Sequence, residues 1–359
     1  MSYQREDATS TEMRHDWLLD RWVIMAPERT SRPDDFERKS VKVVQQVEDC
    51  PFCQGHEYET PSALAEYSVA KSSGTWQVRV VPNKFPAVRA NAAFVQSASC
   101  DLLSDCVMGD GVEMTSEIDL FQKRNLSGGH EVIVESPRHL SSMTQLDREA
   151  MYLVFEAYRD RLARWLEHDD AEYAVVFKNV GPDAGASLIH THSQLIATDV
   201  LPTDIARSTA RMQLFYEREG ECLFCRTIQD EVQLQNRVVE CTDDFLVYCP
   251  FASRLPSLVT IVPRTHQSQF EMLDGAPLEH LAWLTHRTIR RIEKCFPEAA
   301  YNLVIHTSPR FLKGSSIFHW RIELFPRITK IAGFEWGSDC FINPIPPEIA
   351  APRLRHILV

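Results

Sequence analysis

Nothing in the 359-residue chain approaches the run of about 20 apolar residues that a membrane-crossing helix requires. The opening residues, MSYQREDATSTEM, lack the apolar stretch of a secretory leader, so the expected compartment is the cytoplasm. Positive charge is in deficit: 38 lysines and arginines face 50 aspartates and glutamates, a formal charge of −12. A nucleic-acid binder gathers basic residues into a patch or stripe, and no such run is present. An acidic chain can still hold phosphate, provided Arg, Lys and backbone N–H groups converge locally. What remains is an ordinary globular composition, 44% hydrophobic, with enough chain for a large core and two to three domains of ordinary size.

Cysteine is not scarce. There are ten, and they include two C-x-x-C pairs, CPFC (Cys50–Cys53) and CLFC (Cys222–Cys225). In a long chain without a leader such pairs read as metal ligands rather than as a disulfide framework. Cys100, Cys106, Cys241, Cys249, Cys295 and Cys340 lack such partners and read as structural or incidental thiols.

The pairs belong to a larger repetition. SPRH (Ser136–His139) returns as VPRTH (Val262–His266), and from each histidine to the next Leu-Asp pair is 7 and 8 residues. The stretch Asp147–His168 carries an apolar stripe at helical spacing, and so does the stretch that holds Leu278, Leu281, Thr285, Thr288, Ile292 and Cys295. EYAVVFK (Glu172–Lys178) is echoed by AYNLVIH (Ala300–His306), and LIHTHSQLIA (Leu188–Ala197) by FHWRIELFP (Phe318–Pro326). His139 to His190 is 51 residues and His266 to His319 is 53. Matched order at matched spacing marks two copies of one α+β unit. The expected division is 1–200 and 201–359. The 86 residues from Cys53 to His139, against 41 from Cys225 to His266, place an insertion in the first copy. Residues 1–20 are expected to be loose, Arg21–Pro27, Trp76–Pro82 and His130–Ser136 to be strands, 88–128 irregular, and 201–220 helical.

Each copy offers two cysteines and two histidines in the same order. The sets are Cys50, Cys53, His139, His190 and Cys222, Cys225, His266, His319. Zn²⁺ favours such Cys₂His₂ sites, and four protein ligands leave no position for a reacting water, so both sites are expected to be structural.

Strict alternation over Leu188–Ala197 puts His190, His192 and Gln194 on one face of a strand. With His190 taken by the metal, His192 is the candidate nucleophile, since an imidazole can attack phosphorus directly. A backbone carbonyl would fix its tautomer, and Gln194 would donate to phosphate oxygens. Ser187 and the amides of the Gly181–Ser187 turn offer further donors. In the second copy His192 is matched by Arg321 and Gln194 by Glu323. Arginine stays protonated and cannot be a nucleophile, so the second copy is expected to keep fold and metal without the chemistry.

The pattern N-G-x-x-x-G-x-S-x-x-H-x-H-x-Q, read from Asn179 to Gln194 with one extra residue before Gly181, resembles the active-site stretch of the galactose-1-phosphate uridylyltransferases, members of the histidine-triad superfamily. DRWVIMAPERTSRP (Asp20–Pro33), VVPNKFPAV (Val80–Val88) and AGFEWGSDCFINPIPPEIAAPRLR (Ala332–Arg355) extend the resemblance over most of the chain. With its two C-x-x-C pairs it is most similar to a two-zinc branch that includes plant ADP-glucose phosphorylase. The resemblance implies an α+β fold of two fused histidine-triad-like units, each an antiparallel sheet with a packed helix, a homodimer, and nucleotidyl transfer between a nucleotide sugar and hexose 1-phosphate. It implies His192 as nucleophile and Gln194 on the transferred phosphoryl group. Ser187 would contact phosphate, Arg29 and Arg32 would neutralise its charge, and Asn83 and Asn179 would line the nucleotide. Phe334, Glu335 and Asn343 would face the hexose. The sequence departs from the uridylyltransferases at Asn83-Lys84, where they often have Asn-Asp, and at H-T-H-S-Q, where they usually have H-P-H-G-Q. Base and acceptor therefore stay open. The rival readings are phosphorolysis of an ADP-sugar, hydrolysis by a histidine-triad enzyme, and a zinc-ribbon binding module. The last needs its cysteine pairs close together, and 169 residues separate Cys53 from Cys222.

Overall fold

The computed structural model describes residues 10–31, 47–69, 75–89, 120–121, 123–168 and 171–359. Arg32, Cys100, Cys106 and most of the segment expected to be irregular lie outside them. The chain opens on a hairpin, β1 (Glu12–Asp16) and β2 (Arg21–Met25). Strands β3 (Ala65–Tyr67), β4 (Val78–Pro82) and β5 (Gly128–Val134) lead into helix α1 (Arg148–Ala163), which closes in a wider π turn at Arg164–His168. Strands β6 (Tyr173–Val180) and β7 (His192–Thr198) complete the first copy. Helices α2 (Thr203–Glu219) and α3 (Leu223–Leu234) lead to β8 (Val238–Cys241), β9 (Phe245–Tyr248) and β10 (Val259–Pro263). Helix α4 (Gly275–Cys295), β11 (Tyr301–His306) and β12 (Arg321–Pro326) finish the second copy. The tail adds α5 (Gly333–Ser338), β13 (Phe341–Asn343) and α6 (Pro347–Arg355).

Ten strands form one antiparallel sheet in the order β3-β4-β5-β7-β6-β11-β12-β10-β9-β8. Read from its two edges the order is the same, β3-β4-β5-β7-β6 against β8-β9-β10-β12-β11, so the repeat is a two-fold with β6 and β11 at its centre. The copies share one core. Ala174, Val176, Leu195 and Ala197 of the first lie in one apolar cluster with Leu303, Ile305, Ile322 and Leu324 of the second. Helices α1 and α4 pack side by side over that face. Helix α1 starts at Asp147, whose carboxylate accepts the Ala150 N–H at 2.9 Å, and it buries Met151, Val154, Phe155, Tyr158 and Leu162. Gly129 lets the π turn press onto β5: a Cβ there would stand 2.0 Å from the Trp165 ring.

Three expectations need correction. The segment before residue 20 is not all loose, because Glu12–Asp16 pairs with Arg21–Met25. The strand expected from Leu188 starts at His192. Before it the chain bends so that His190 reaches the Cys50–Cys53 turn, and the Leu140 carbonyl holds the Thr191 N–H at 2.6 Å. The two C-x-x-C pairs also differ locally. Pro51 keeps the first in a turn, whereas Cys222 is the N-cap of α3 and Cys225 sits in its first turn. Last, the echo of Glu172–Lys178 in Ala300–His306 is one residue out of step. Phe177 lies opposite Gln194, and Val304 lies opposite Glu323, so Lys178 is matched by Ile305 and Asn179 by His306. In a strand a one-residue slip changes the face on which every side chain stands.

Candidate active site

Both Cys/His sets converge. In each, the four possible ligand atoms lie within 4.8 Å of one another. In the first, Nδ1 of His190 is 3.4 Å from Cys50 Sγ and 3.6 Å from Cys53 Sγ, and Nδ1 of His139 is 3.4 Å from Cys53 Sγ. In the second the corresponding separations are 3.8, 3.8 and 3.4 Å. A tetrahedral Zn²⁺ with ordinary Zn–S and Zn–N bonds spaces its ligand atoms by about 3.5 Å, so the residues fit one ion each. The histidine rings meet edge to face at 5.3 Å in both sets, at 89° and 87°. Nε2 of His190 donates to the Ser136 carbonyl at 2.8 Å, and Nε2 of His319 to the Pro263 carbonyl at 3.0 Å. The donated proton fixes the tautomer and leaves Nδ1 free to ligate. Burial pushes His190 down to about 4, which keeps the ring neutral as a ligand must be.

On β7, Ser193, Leu195 and Ala197 turn toward the helices, and His192 and Gln194 turn to the opposite face. Nδ1–H of His192 donates to the His190 carbonyl at 2.7 Å. Nε2 is therefore the nitrogen with the free lone pair. Burial holds the ring below its usual range, and the Lys178 ammonium behind it pushes the same way. A neutral, buried imidazole with a fixed tautomer is a competent nucleophile. The Phe52 ring lies 5.2 Å away.

Gln194 is held by a residue that sequence reasoning missed. The Ala87 N–H donates to Nδ1 of His130 at 3.1 Å, so the proton of this ring is on Nε2, which donates to Gln194 Oε1 at 2.8 Å. Asn83 Nδ2 also approaches Gln194 Oε1, at 3.4 Å. With its oxygen engaged, Gln194 offers its NH₂ outward. The signal in the sequence was weak: His130 begins the expected strand, two residues before Val132, which pairs with Gln194.

The other expected residues separate. Asn179 Oδ1 accepts from Asn302 Nδ2 at 2.8 Å, and the same amide holds the Ala184 carbonyl at 3.0 Å, which ties the glycine turn to the centre of the sheet. Ser187 is exposed in that turn. The amides of Ala184, Gly185 and Ala186 bond to carbonyls of the turn itself, so they are not the phosphate donors expected of them. Arg29 stands half-buried just after β2. On α5 Phe334 is exposed and Glu335 half-buried, and the Glu335 carboxylate accepts the Ala332 N–H. Asn343 does not fit a hexose contact. It is fully buried, its Nδ2 donates to the Ser253 and Leu255 carbonyls, and its Oδ1 accepts from Ile345.

The matched face of the second copy is filled differently. Arg321 Nε donates to Glu323 Oε1 at 3.1 Å, Arg254 approaches the same carboxylate, and the Arg321 guanidinium lies over Phe224. The β1–β2 turn, Trp17 to Leu19, lines a cavity of about 210 Å³ against these residues.

A sequence model described as the N-terminal domain of galactose-1-phosphate uridyl transferase matches residues 1–202, and one described as a domain of unknown function, DUF4921, matches 107–358. The chain is 31% identical to an ADP-glucose phosphorylase of Arabidopsis thaliana over 351 residues, covering 97% of this chain and 93% of that protein. It is 26% identical to a galactose-1-phosphate uridylyltransferase of Thermotoga maritima, covering 96% and 98%. Among solved structures, the Arabidopsis thaliana ADP-glucose phosphorylase with bound ADP-glucose superposes with a TM-score of 0.77 at 30% identity, over 98% of this chain and all of that one. A uridylyltransferase mutant shares the fold with a TM-score of 0.69 at 21% identity, over 96% and 97%.

Proposed function

Because the chain belongs to the galactose-1-phosphate uridylyltransferase family and is an enzyme of that type, we propose that it transfers the nucleoside monophosphate of a nucleotide sugar through His192. Nε2 attacks the α-phosphorus, the bond from that phosphorus to the bridging oxygen breaks, and hexose 1-phosphate leaves with the electron pair. An oxygen of the acceptor then attacks the same phosphorus, and the His192 nitrogen leaves with its lone pair restored. The observation that carries this reading is the Nδ1–H bond from His192 to the His190 carbonyl, which leaves Nε2 unprotonated on the face where Gln194 presents its amide. Gln194 donates to the transferred phosphoryl oxygens, as Ser187 and Arg29 do in this reading. Asn83 and Asn179 stand beside the nucleotide, and Phe334 and Glu335 serve the hexose.

Two zinc ions per chain complete the reading, one on Cys50, Cys53, His139 and His190 and one on Cys222, Cys225, His266 and His319. When bound, each ion supplies structure, since four protein ligands leave no open position. The reading includes a homodimer, and exposed Trp336, at 75%, supplies apolar surface for a second copy of the chain.

For base and acceptor the reading favours adenine and inorganic phosphate, with ADP and hexose 1-phosphate as products. The greater identity to the ADP-glucose phosphorylase than to the uridylyltransferase supports it. A second reading, uridylyl exchange with hexose 1-phosphate, is favoured by the match of residues 1–202 to the uridyl transferase model. The test is a rate matrix: ADP-glucose, UDP-glucose and UDP-galactose, each with phosphate and with hexose 1-phosphates. Fastest turnover is expected for ADP-glucose with phosphate. Fastest turnover for a UDP-sugar with a hexose 1-phosphate would give the second reading, and none in any cell would refute both.

A further inference from the structure

Behind β7, on the face turned to α1, lies a polar cluster that the transfer chemistry does not touch. Lys178 Nζ and Glu135 Oε2 are 2.6 Å apart, and neither side chain has any exposed surface. The three donors of the ammonium are all used: on Glu135, on Thr191 Oγ1 at 3.0 Å, and on the His192 carbonyl at 2.8 Å. Glu135 accepts three further bonds, from Thr191 Oγ1 at 2.5 Å, Ser193 Oγ at 2.5 Å and Tyr158 OH at 2.6 Å. The pair therefore grips the residues on either side of His192 and the carbonyl of His192 itself.

A buried ion pair is a poor way to gain stability. Desolvation offsets most of the attraction, and well-packed apolar residues of similar volume serve as well or better. The two-fold supplies an internal comparison. With Gln194 matched to Glu323, Lys178 is matched by Ile305, and the neighbours Thr191 and Ser193 by Trp320 and Ile322. Ile133 pairs with Ser193 and Ile261 with Ile322, so two residues further on Glu135 is matched by Pro263. Tyr158 stands as far beyond the cap residue Asp147 as Thr285 beyond Asp274. Ile305, Trp320 and Ile322 sit in the apolar core. The same position in the same fold thus carries no charged group and is filled mainly by apolar side chains in the copy that has Arg321 in place of the nucleophile.

We infer that the Glu135–Lys178 pair is a positioning device for His192, holding the backbone of 191–193 from behind so that Nε2 keeps its aim at phosphorus. Neither residue touches substrate. The inference rests on the reading of His192 as nucleophile, and it accounts for a charged pair at a position that the fold fills with apolar side chains when no nucleophile needs support.

The test is the double variant Glu135→Gln with Lys178→Met, which removes both charges and nearly keeps their shape. Rapid-quench measurement of nucleotidyl-His192 formation from a nucleotide sugar is the readout, beside melting temperature, metal content and KM. The double variant is expected to keep its metal, its melting temperature and a KM within threefold, while adduct formation slows about 100-fold, the scale on which small misplacements act. Adduct formation at the wild-type rate in the folded double variant overturns the inference and leaves the function intact. Absence of a His192 adduct in the wild type overturns the function and the inference with it. Should the double variant fail to fold, Thr191→Val removes only the hydroxyl between the two charges. A rate fall of about tenfold at unchanged KM then supports the device, and an unchanged rate overturns it.

Discussion

At the scale of single residues, the proposed chemistry depends on two imidazoles whose tautomers are set by opposite means. His192 donates through Nδ1 to a carbonyl and keeps Nε2 bare, while His130 accepts at Nδ1 from a backbone amide and carries its proton on Nε2. The first was legible in the sequence, because H-x-H-x-Q on a strand is a local pattern. The second was not, because His130 meets Gln194 only through the register of β5 on β7. Asn343 shows the reverse error. A polar residue in a resembling segment was assigned to the hexose, but its amide is consumed by two carbonyls and an N–H inside the protein. A prediction belongs here. Val132 and Thr260 stand opposite Gln194 and Glu323, so the counterpart of His130 in the second copy is Leu258. His130→Leu is expected to lower kcat by about tenfold to 100-fold with little change in KM, since a misdirected donor weakens the transition state more than the bound ground state. Gln194→Leu should cost at least as much, and the two together should cost no more than Gln194→Leu alone, because the histidine acts through the glutamine. Additive losses in steady-state kinetics would show that His130 acts by another route.

At the scale of elements, the helices were the easiest to read. Their apolar stripes and the Asp147 cap are local, and α1 starts one residue from the expected place. Strand ends were harder. His190 and His192 lie two apart in the sequence, but only the second is in the strand, because Cys50 and Cys53 draw the first ring away. The slip between Glu172–Lys178 and Ala300–His306 has a related origin: each segment carries a run of consecutive apolar residues, Tyr173–Phe177 and Leu303–Ile305, and nothing local pins the register until the neighbouring strand is in place. The two cysteine pairs sit in different elements, a proline turn and a helix start, and this gives unequal expectations. Cys50→Ser loosens the loop that carries His190 and the residues next to His192, so it should cost about one metal equivalent, lower the melting temperature and reduce turnover. Cys222→Ser should cost one equivalent and stability, while the protein that remains folded turns over at the normal rate. Elemental analysis with a thermal scan and an activity assay checks both. Equal loss of turnover per folded chain in the two variants would contradict the account.

At the scale of the whole molecule, two copies of one unit share a sheet and a core, but the side chains on the sheet face away from the helices have diverged. One face carries His192, Gln194, His130 and Asn83. The matched face carries Arg321, Glu323 and Arg254 and is lined by the β1–β2 turn. Duplication was legible from spacing alone, while the continuity of the sheet through β6 and β11 was not, because no motif marks a strand as the centre of a two-fold. With His192 as the proposed nucleophile, one active centre per chain is expected. The most direct measurement is the intact mass of the protein after incubation with ADP-glucose or UDP-glucose in the absence of acceptor, followed by peptide mapping. The wild type should gain one nucleoside monophosphate per chain at His192, Arg321→Ala should gain the same, His192→Ala should gain none, and the acceptor should discharge the label. Two labels per chain, a label on any other residue, or loss of labelling in folded Arg321→Ala would contradict the account.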